Sequence, residues 1–448
     1  MTRVLLLTIL MLAPVAEAQI ALPRTPGLRI GVPGGLPLDL GLAPGAQQDL
    51  AAPTAELARL ERARKARIAL LLRQHADVIE ADPSGDPIVR GELLAFSPTD
   101  AALARALGAG FAVLRERSLG TLGMRIVVLS APRGTKTSRA LKLLRRLDPG
   151  GTYAFNNIYT DSGTAGARAD APPAVAGAAP AAERGVQLGL IDGGVGTAQP
   201  VFRGTEIHPH GCGGVAVPSA HGTEVASLMV GRSAQFGGAA PGAALYAADV
   251  YCGKPTGGAV DAIAEALEWL AERQVPVINV SLVGPSNALL QQVISGMVAR
   301  GFLIVAAVGN DGPAAPPLYP AAYPGVVGVT AVDARRRALF EAERGPQVMF
   351  AAPGADIVAA ALPDGFASVR GTSFAAPLVA GLLAEKLQGT AAGHDPGPSP
   401  GFDPAAARAA IDALARAAVH LGARGRNTVF GYGLVGAGLP APRPASRQ

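Results

Sequence analysis

Apolar runs separated by helical stretches dominate the chain after residue 185. The helical stretches cover 259–273 and 287–300, where apolar residues recur every three or four positions. The apolar runs are 186–191, 244–250, 275–280, 302–308 and 326–332. Strands that are apolar on both faces and alternate with helices are typical of a parallel sheet covered on both sides. Residues 185–438 are therefore predicted to form a three-layer α/β domain.

Residues 87–160 show a different pattern, which predicts short strands and two helices. The predicted strands are 88–96, 111–117, 124–129 and 153–158, and the predicted helices are 99–107 and 138–147. The order β-α-β-β-α-β is that of the split βαβ, or ferredoxin-like, fold. We therefore predict a small α+β domain ahead of the α/β domain.

The segments outside these two domains differ in composition. Residues 19–53 are rich in Pro and Gly and predict an extended spacer, whereas 161–184 lack large apolar residues and predict a linker. Residues 439–448 predict a short tail. Residues 54–80 predict an amphipathic helix, because leucines recur at helical intervals between arginines. Its basic face suits either a membrane surface or, as the more ordinary interpretation, solvent beside a packed helix.

Residues 1–18 predict a secretory signal peptide. Arg3 precedes an apolar run at 4–12, and Ala16-Glu17-Ala18 fits the small-x-small pattern of a cleavage site. The run is too short to span a bilayer, which needs about 20 residues. A buried N-terminal strand is the alternative. We expect a secreted or periplasmic protein with no integral membrane segment.

Composition and charge exclude several classes of protein. Two cysteines among 448 residues exclude a disulfide-dense mini-protein and a four-cysteine zinc site. In an oxidising compartment Cys212 and Cys252 are expected to pair, with two buried free thiols as the alternative. The net charge of +5 comes from the part of the chain before residue 185, and the remainder is nearly neutral. A nucleic-acid partner is therefore not expected.

In an open parallel sheet, ligands and catalytic groups lie at the carboxyl ends of the strands. Three polar residues of the α/β domain are predicted at such places. Asp192 follows the first apolar run, His221 opens the helical segment HGTEVASLMVG, and Ser373 lies in RGTSFAAPLVAG at another predicted helix start. Each alone is ordinary, because Asp and Ser are common helix caps and a His can cap a helix or fill a pocket. Together they supply the nucleophile, the proton acceptor and the orienting carboxylate that acyl transfer requires.

The order Asp, His, Ser in these contexts resembles the subtilisin-like serine peptidases, or subtilases. Further landmarks lie in the family's order between about 186 and 436: VINVSL, AAVGNDG, YPAAYP, APG and GYGLV. The resemblance implies that Ser373 is the nucleophile, that His221 is the general base and acid, and that Asp192 orients His221. It also implies that Asn310 donates to the oxyanion. The substrate-binding segment that it implies consists of Ser281, Leu282, Val283 and Gly284.

The resemblance also gives the N-terminal domain an expected role. A ferredoxin-like domain before a linker and a subtilase domain is similar to the family's propeptide, which assists folding and then inhibits the active site with its C-terminal tail. Here that tail is predicted at about 155–160. An unrelated accessory domain is the alternative.

Two departures from the family pattern bear on the site. Val283 stands where subtilisins usually have Gly beside the specificity pocket, so a broad hydrophobic preference is not assumed. The loop at 230–238 contains Arg232 and Phe236 where many relatives have an oxygen-rich calcium loop, and calcium prefers six to eight oxygen ligands. We therefore expect no calcium in this loop, and neither a metal nor a cofactor in the active site.

The sequence thus predicts a secreted serine endopeptidase, monomeric and made as an autoprocessed zymogen, that acts on proteins or peptides. The main rival is a catalytically silent subtilase-like binding protein of the cell envelope. A second rival is a basic envelope-binding protein that works through its 54–80 helix. A lipase or esterase is not favoured, because no G-x-S-x-G motif surrounds Ser373.

Overall fold

The computed structural model describes residues 55–163, 185–233, 237–388 and 401–439, and describes the backbone alone at 29–30, 38–39, 44–54, 164–169 and 389–391. The predicted signal peptide lies outside the described residues, as do most of the predicted spacer, 170–184 of the predicted linker, and 440–448. The chain divides into two compact units, Met1–Ala58 and Arg59–Gln448.

The elements before residue 170 are, in chain order, β1 (Arg29–Ile30), β2 (Leu38–Asp39), α1 (Pro44–Gln74), β3 (Ile79–Ala81), β4 (Pro87–Phe96), α2 (Asp100–Gly108), β5 (Ala112–Leu119), β6 (Met124–Ser130), α3 (Thr137–Leu147), β7 (Thr152–Asp161) and β8 (Gly163–Ala169). The six elements from β4 to β7 match the predicted β-α-β-β-α-β order to within three residues. They form an antiparallel sheet in the order β7-β4-β6-β5.

Two features of this region differ from the sequence predictions. Helix α1 begins at Pro44, inside the predicted spacer, and ends at Gln74, and β3 occupies the end of the predicted 54–80 helix. The predicted linker contains β8, which pairs with a strand of the α/β domain. A sequence that lacks large apolar residues can still form an edge strand when its backbone finds a partner.

The elements of the second region are, in chain order, β9 (Gln187–Asp192), β10 (Ile207–Gly211), α4 (Ala220–Val230), β11 (Ala244–Asp249), β12 (Gly258–Ala259), α5 (Val260–Glu272), β13 (Val277–Val280), β14 (Leu282–Val283), α6 (Ala288–Ala299), β15 (Leu303–Ala307), β16 (Val327–Val332), β17 (Val348–Pro353), β18 (Ile357–Ala360), β19 (Phe366–Gly371), α7 (Thr372–Ala391) and α8 (Pro404–Ala417). None of the helices in the described part of the chain is both long and apolar enough to cross a membrane.

A seven-stranded parallel sheet forms the middle layer, in the order β10-β11-β9-β13-β15-β16-β17. Successive strand residues face opposite sides, so that Leu303 and Val305 lie in the hydrophobic cluster that includes residues of α4, α7 and α8, whereas Ile304 lies in the cluster that includes residues of α5 and α6. The predicted three-layer α/β architecture is therefore confirmed. Each of the five predicted apolar runs coincides, to within two residues at either end, with one of its strands.

The sheet of the N-terminal domain has two covered faces. One face packs on α2 and α3 through residues such as Leu93 and Leu129. The other face, with Leu94 and Val128, joins the cluster that contains the buried residues of α5 and α6. The N-terminal domain therefore shares a hydrophobic core with the α/β domain, and this docking directs the end of β7 toward the carboxyl ends of the parallel strands.

Candidate active site

The structure brings together the three residues of the predicted triad. Asp192 ends β9, His221 is the second residue of α4, and Ser373 is the second residue of α7. The Nδ1 atom of His221 lies 3.0 and 2.9 Å from the two carboxylate oxygens of Asp192. This contact orients the imidazole so that Nε2 faces away from the carboxylate. Nε2 is buried and has no hydrogen-bond partner among the residues that the structure describes, which leaves it to accept a proton.

Two glycines allow α4 to pack directly against the end of β9. A Cβ atom on Gly222 would overlap the carbonyl oxygen of Gly193, and a Cβ atom on Gly193 would overlap the side chain of Ser219. Ser219 caps α4 by accepting a 3.0 Å hydrogen bond from the N–H of Gly222. The Gly residues beside Asp192 and His221 therefore allow the short distance between the two candidate catalytic side chains.

The Ser373 side chain is completely buried and contacts two backbone segments. Its Oγ donates to the carbonyl oxygen of Ser281 at 3.3 Å, and Ser281 Oγ donates to the carbonyl oxygen of Ser373 at 3.0 Å. On its other side, Ser373 Oγ lies 2.5 Å from Ser162 Oγ and accepts the Ser162 N–H at 3.3 Å. Ser162 belongs to the segment that follows β7.

Asn310 lies beside Ser373 in the position implied for an oxyanion donor. Its Oδ1 accepts the N–H of Thr372 at 3.1 Å, which leaves the Nδ2 group available as a donor. Gly371, with a φ of +140°, lies next to this amide, and a Cβ atom there would be 3.0 Å from Asn310 Nδ2 and 2.9 Å from the Ser162 carbonyl oxygen. Only glycine leaves this space open to both groups.

The end of β7 occupies the cleft as an extended strand between two others. On one side Thr160 pairs antiparallel with Val283, and Asp161 pairs with Leu282, in β14. On the other side β7 pairs with Gly258–Ala259 of β12. This is the backbone pairing by which a sheet edge binds an extended peptide. Leu282 and Val283 belong to the substrate-binding segment that the resemblance implied, whereas β12 was not predicted, because its Gly-Ala sequence carries no strand signal.

Tyr159 anchors this strand. Its side chain is fully buried, its ring lies against the Cα atom of Gly284, and its hydroxyl donates to the carbonyl oxygen of Pro285 at 2.5 Å. The part of the chain in the cleft is therefore 158–162, slightly later than the tail predicted at 155–160. Phe155 remains in the sheet with β4.

The backbone continues past Ser373 instead of ending there. Gly163 pairs with Gly371 at the start of the β8–β19 ladder. A Cβ atom on Gly163 would overlap the ring of Phe374 and lie 3.3 Å from His221 Nε2. The peptide bond between Ser162 and Gly163 is therefore held between the candidate nucleophile and the candidate base.

The charges around His221 favour its protonated form while this segment is in the cleft. Burial opposes the imidazolium, but the carboxylate of Asp192, with smaller contributions from Asp161 and Glu224, outweighs it and raises the pKa of His221 to about 9. Asp161 belongs to the segment in the cleft. It was not identified from the sequence, because its effect depends on a contact between distant parts of the chain.

Cys212 and Cys252 form a disulfide, with Cα atoms 5.1 Å apart. It joins the end of β10 to the turn after β11, near the Asp192 end of the sheet.

The structure does not test the prediction for the loop at 230–238, because residues 234–236 of that loop lie outside the described residues. The expectation of no calcium there stays a prediction.

Comparisons of this sequence with a family model and with individual known proteins point to the same family. The sequence model of the Subtilase family matches residues 183–433. M-protease from Shouchella clausii (strain KSM-K16) is 35% identical over 204 residues, which are 45% of this chain and 53% of M-protease. Subtilisin BL from Lederbergia lenta is also 35% identical over 204 residues, covering 45% of this chain and 75% of that protein. The match thus spans about half the length of M-protease.

A solved structure extends the likeness beyond the α/β domain. Fervidolysin from Fervidobacterium pennivorans superposes with a TM-score of 0.63 and 20% sequence identity, over 82% of this chain and 63% of fervidolysin. A match of this length includes much of the chain before residue 183. At this level of identity the likeness concerns the fold alone.

Proposed function

Because the chain belongs to the Subtilase family of subtilisin-like serine peptidases, we propose that it is a serine endopeptidase made as a precursor, which cuts its own backbone between Ser162 and Gly163. The observation that carries the proposal is the position of this peptide bond, whose flanking residues contact Ser373 on one side and face His221 Nε2 on the other. The intact Asp192–His221 contact supports catalysis over a silent binding role.

The chemistry follows from the groups around the bond. The Ser373 hydroxyl turns from Ser281 toward His221 Nε2, gives up its proton there, and attacks the carbonyl carbon of Ser162. The oxyanion that forms is stabilised by Asn310 Nδ2 and by the backbone N–H of Ser373. His221 then returns the proton to the nitrogen of Gly163, which leaves as a new amino terminus. A water molecule hydrolyses the Ser162 ester by the same steps and restores Ser373.

After the cut, residues 158–162 still occupy the substrate strand of the cleft. The N-terminal domain therefore acts first as substrate and then as an intramolecular inhibitor. Later protein or peptide substrates take the same place between β12 and β14, in an extended conformation. This mode of binding uses backbone pairing, so that specificity depends on the side-chain pockets rather than on one long motif.

The proposed compartment is outside the cytoplasm, either secreted or periplasmic. The apolar run and the cleavage pattern of residues 1–18 support export. The Cys212–Cys252 disulfide supports an oxidising environment. We take the protein to be a monomer.

The test compares the full chain with its Ser373→Ala variant by denaturing gel, intact mass and N-terminal sequencing. We expect the wild type to give a fragment that begins at Gly163 and to hydrolyse an unfolded protein, whereas Ser373→Ala stays whole and inactive. Ser295→Ala, at an exposed position of α6, is the matched control and should behave as the wild type.

Each of the other possible results of this experiment supports a different conclusion. If neither chain is cut and neither hydrolyses protein, the silent binding protein is the better description. If both are cut alike, another peptidase makes the cut. A cut at a different bond that still depends on Ser373 would retain the activity and reject the assignment of Ser162–Gly163.

A further inference from the structure

Two arginines of helix α1 converge on one carboxylate in the wall of the cleft. Arg64 Nε lies 3.0 Å from Asp311 Oδ2, and Arg67 Nη2 lies 3.0 Å from Asp311 Oδ1. The Asp311 side chain is 7% exposed, and it directly follows Asn310 in the sequence. The basic face of α1, which the sequence left open between a membrane and solvent, thus contacts an acidic group beside the candidate oxyanion donor.

Apolar side chains on the same face of α1 extend this contact. Leu60 packs against Gly312, where an added Cβ atom would lie 3.2 Å from Leu60 Cδ1. Ile68 and Leu71 line a cavity of about 440 Å³ together with Val283 of β14. Gly284, Pro285 and Leu318 also line this cavity. Helix α1 therefore covers the cleft on the side where β14 binds the segment 158–162.

The part of helix α1 that carries Arg64 and Arg67 also belongs to the N-terminal domain. It ends at Gln74, a short turn leads into β3, and β3 pairs with β4. Arg64 lies 3.9 Å from Asp86, in the turn between these two strands. A cut at Ser162–Gly163 therefore leaves α1 on the N-terminal fragment and Asp311 on the C-terminal fragment, and the two arginine contacts bridge the fragments.

We propose that α1 is a second inhibitory contact, separate from the segment in the catalytic cleft, and that Asp311 is its anchor. The contact itself does not depend on self-cleavage. Only its consequence for the cut chain rests on the proposed function: the N-terminal fragment stays bound until the contact of Arg64 and Arg67 with Asp311 is broken. Charge-assisted pairs with a nearly buried carboxylate hold partners together mainly by slowing dissociation. Because the arginines are partly exposed, salt weakens the contact.

The first experiment measures docking in the uncut full chain, in the Ser373→Ala background, by hydrogen exchange of the amides in 60–74. Arg64→Gln/Arg67→Gln is compared with Arg62→Gln/Arg73→Gln, a matched control with the same charge change at two exposed positions of α1. We expect exchange in the test variant to be faster by about tenfold or more, and exchange in the control to be unchanged, because loss of the contact frees α1 to open locally. Equal exchange in both variants would overturn the proposal, whether or not the chain cuts itself.

The second experiment measures release after cutting. In chains with Ser373 intact, we expect the N-terminal fragment of the wild type to co-elute with the catalytic fragment at low salt and to dissociate about tenfold faster at 0.5 M salt. Arg64→Gln/Arg67→Gln should dissociate as fast at low salt and regain activity without a lag, and Arg64→Lys/Arg67→Lys should lie between the two. The substituted residues are absent from the released catalytic fragment, so its own activity is unaffected. Identical release in the wild type and in the Gln variant would refute the inhibitory role while leaving the peptidase assignment intact.

Discussion

The pKa of His221 is raised by carboxylates from both domains. Asp192 is part of the α/β domain, whereas Asp161 arrives with the segment from the N-terminal domain. Burial disfavours the imidazolium, but the carboxylates together raise the pKa of His221 to about 9. Below that pH the imidazole is mostly protonated and cannot accept the Ser373 proton. The uncut precursor is therefore expected to be slow at neutral pH and faster as the pH rises toward 9.

Replacing Asp161 tests this electrostatic account. Asp161→Asn removes one negative charge near His221, so the pKa of His221 falls and the unprotonated base is present at lower pH. We expect the pH at which self-cleavage reaches half its maximal rate to move downward, and the rate at pH 7 to rise. The measurement is the fraction of cut chain against time between pH 6 and 10. Asp77→Asn, at an exposed position of the N-terminal domain, should leave the profile in place, and a similar unshifted profile for Asp161→Asn would contradict the account.

Strand β7 pairs with strands of both domains. Its first half pairs with β4 inside the N-terminal domain, and its second half pairs with β12 and β14 of the α/β domain. The sequence predicted a strand ending at residue 158, whereas β7 continues to Asp161. The extension has a simple cause, because the last residues find their backbone partners only in the α/β domain.

Tyr159 gives this strand its largest apolar anchor in the cleft. Tyr159→Ala removes a fully buried ring, and truncation of a buried aromatic residue costs about 3–5 kcal/mol. We expect much slower self-cleavage and faster dissociation of the cut fragment, measured by gel and by size-exclusion chromatography. Tyr159→Phe keeps the ring on Gly284 and loses only the hydrogen bond to Pro285, so its effect should be far smaller. Equal losses in the two variants would show that the hydroxyl, and not ring burial, anchors the strand.

At the scale of the whole molecule, the two domains share a hydrophobic core and a single disulfide braces the α/β domain. Leu94 and Val128 of the N-terminal sheet lie in the same cluster as the buried residues of α5 and α6. The Cys212–Cys252 bond closes a loop with a sequence separation of 40 residues. The shared core therefore places buried residues of both domains in one apolar cluster.

Removal of the disulfide should lower global stability without changing the triad. Cys212→Ala/Cys252→Ala is expected to reduce the free energy of unfolding by about 4 kcal/mol, because a loop of this length is no longer closed in the unfolded chain. Urea unfolding of the Ser373→Ala chain, with and without the two cysteines, measures the difference. A reductant should lower the midpoint of the parent to that of the double variant and leave the double variant unchanged. If the reductant left the urea midpoint of the parent unchanged, the disulfide would contribute little to stability.

Local pattern predicted many of the helices and strands, and it singled out candidate site residues that the structure brings together. The five apolar runs became strands of the parallel sheet, and the elements of residues 87–160 formed in the predicted order, because burial on one or both faces leaves a periodic signal in the sequence. The motifs around Asp192, His221, Ser373 and Asn310 were recognisable because the chemistry restricts the neighbouring residues. Gly222, for example, packs too closely on Gly193 to carry a side chain.

Other features were decided by the tertiary structure. Strands β8, β12 and the end of β7 have no periodic apolar pattern, and they form because distant backbone groups pair with them. The same docking puts the Ser162–Gly163 bond at Ser373, adds Asp161 to the surroundings of His221, and directs the basic face of α1 toward Asp311. Local sequence encodes burial and chemistry residue by residue. Contacts between segments hundreds of residues apart depend on how two folded surfaces fit together.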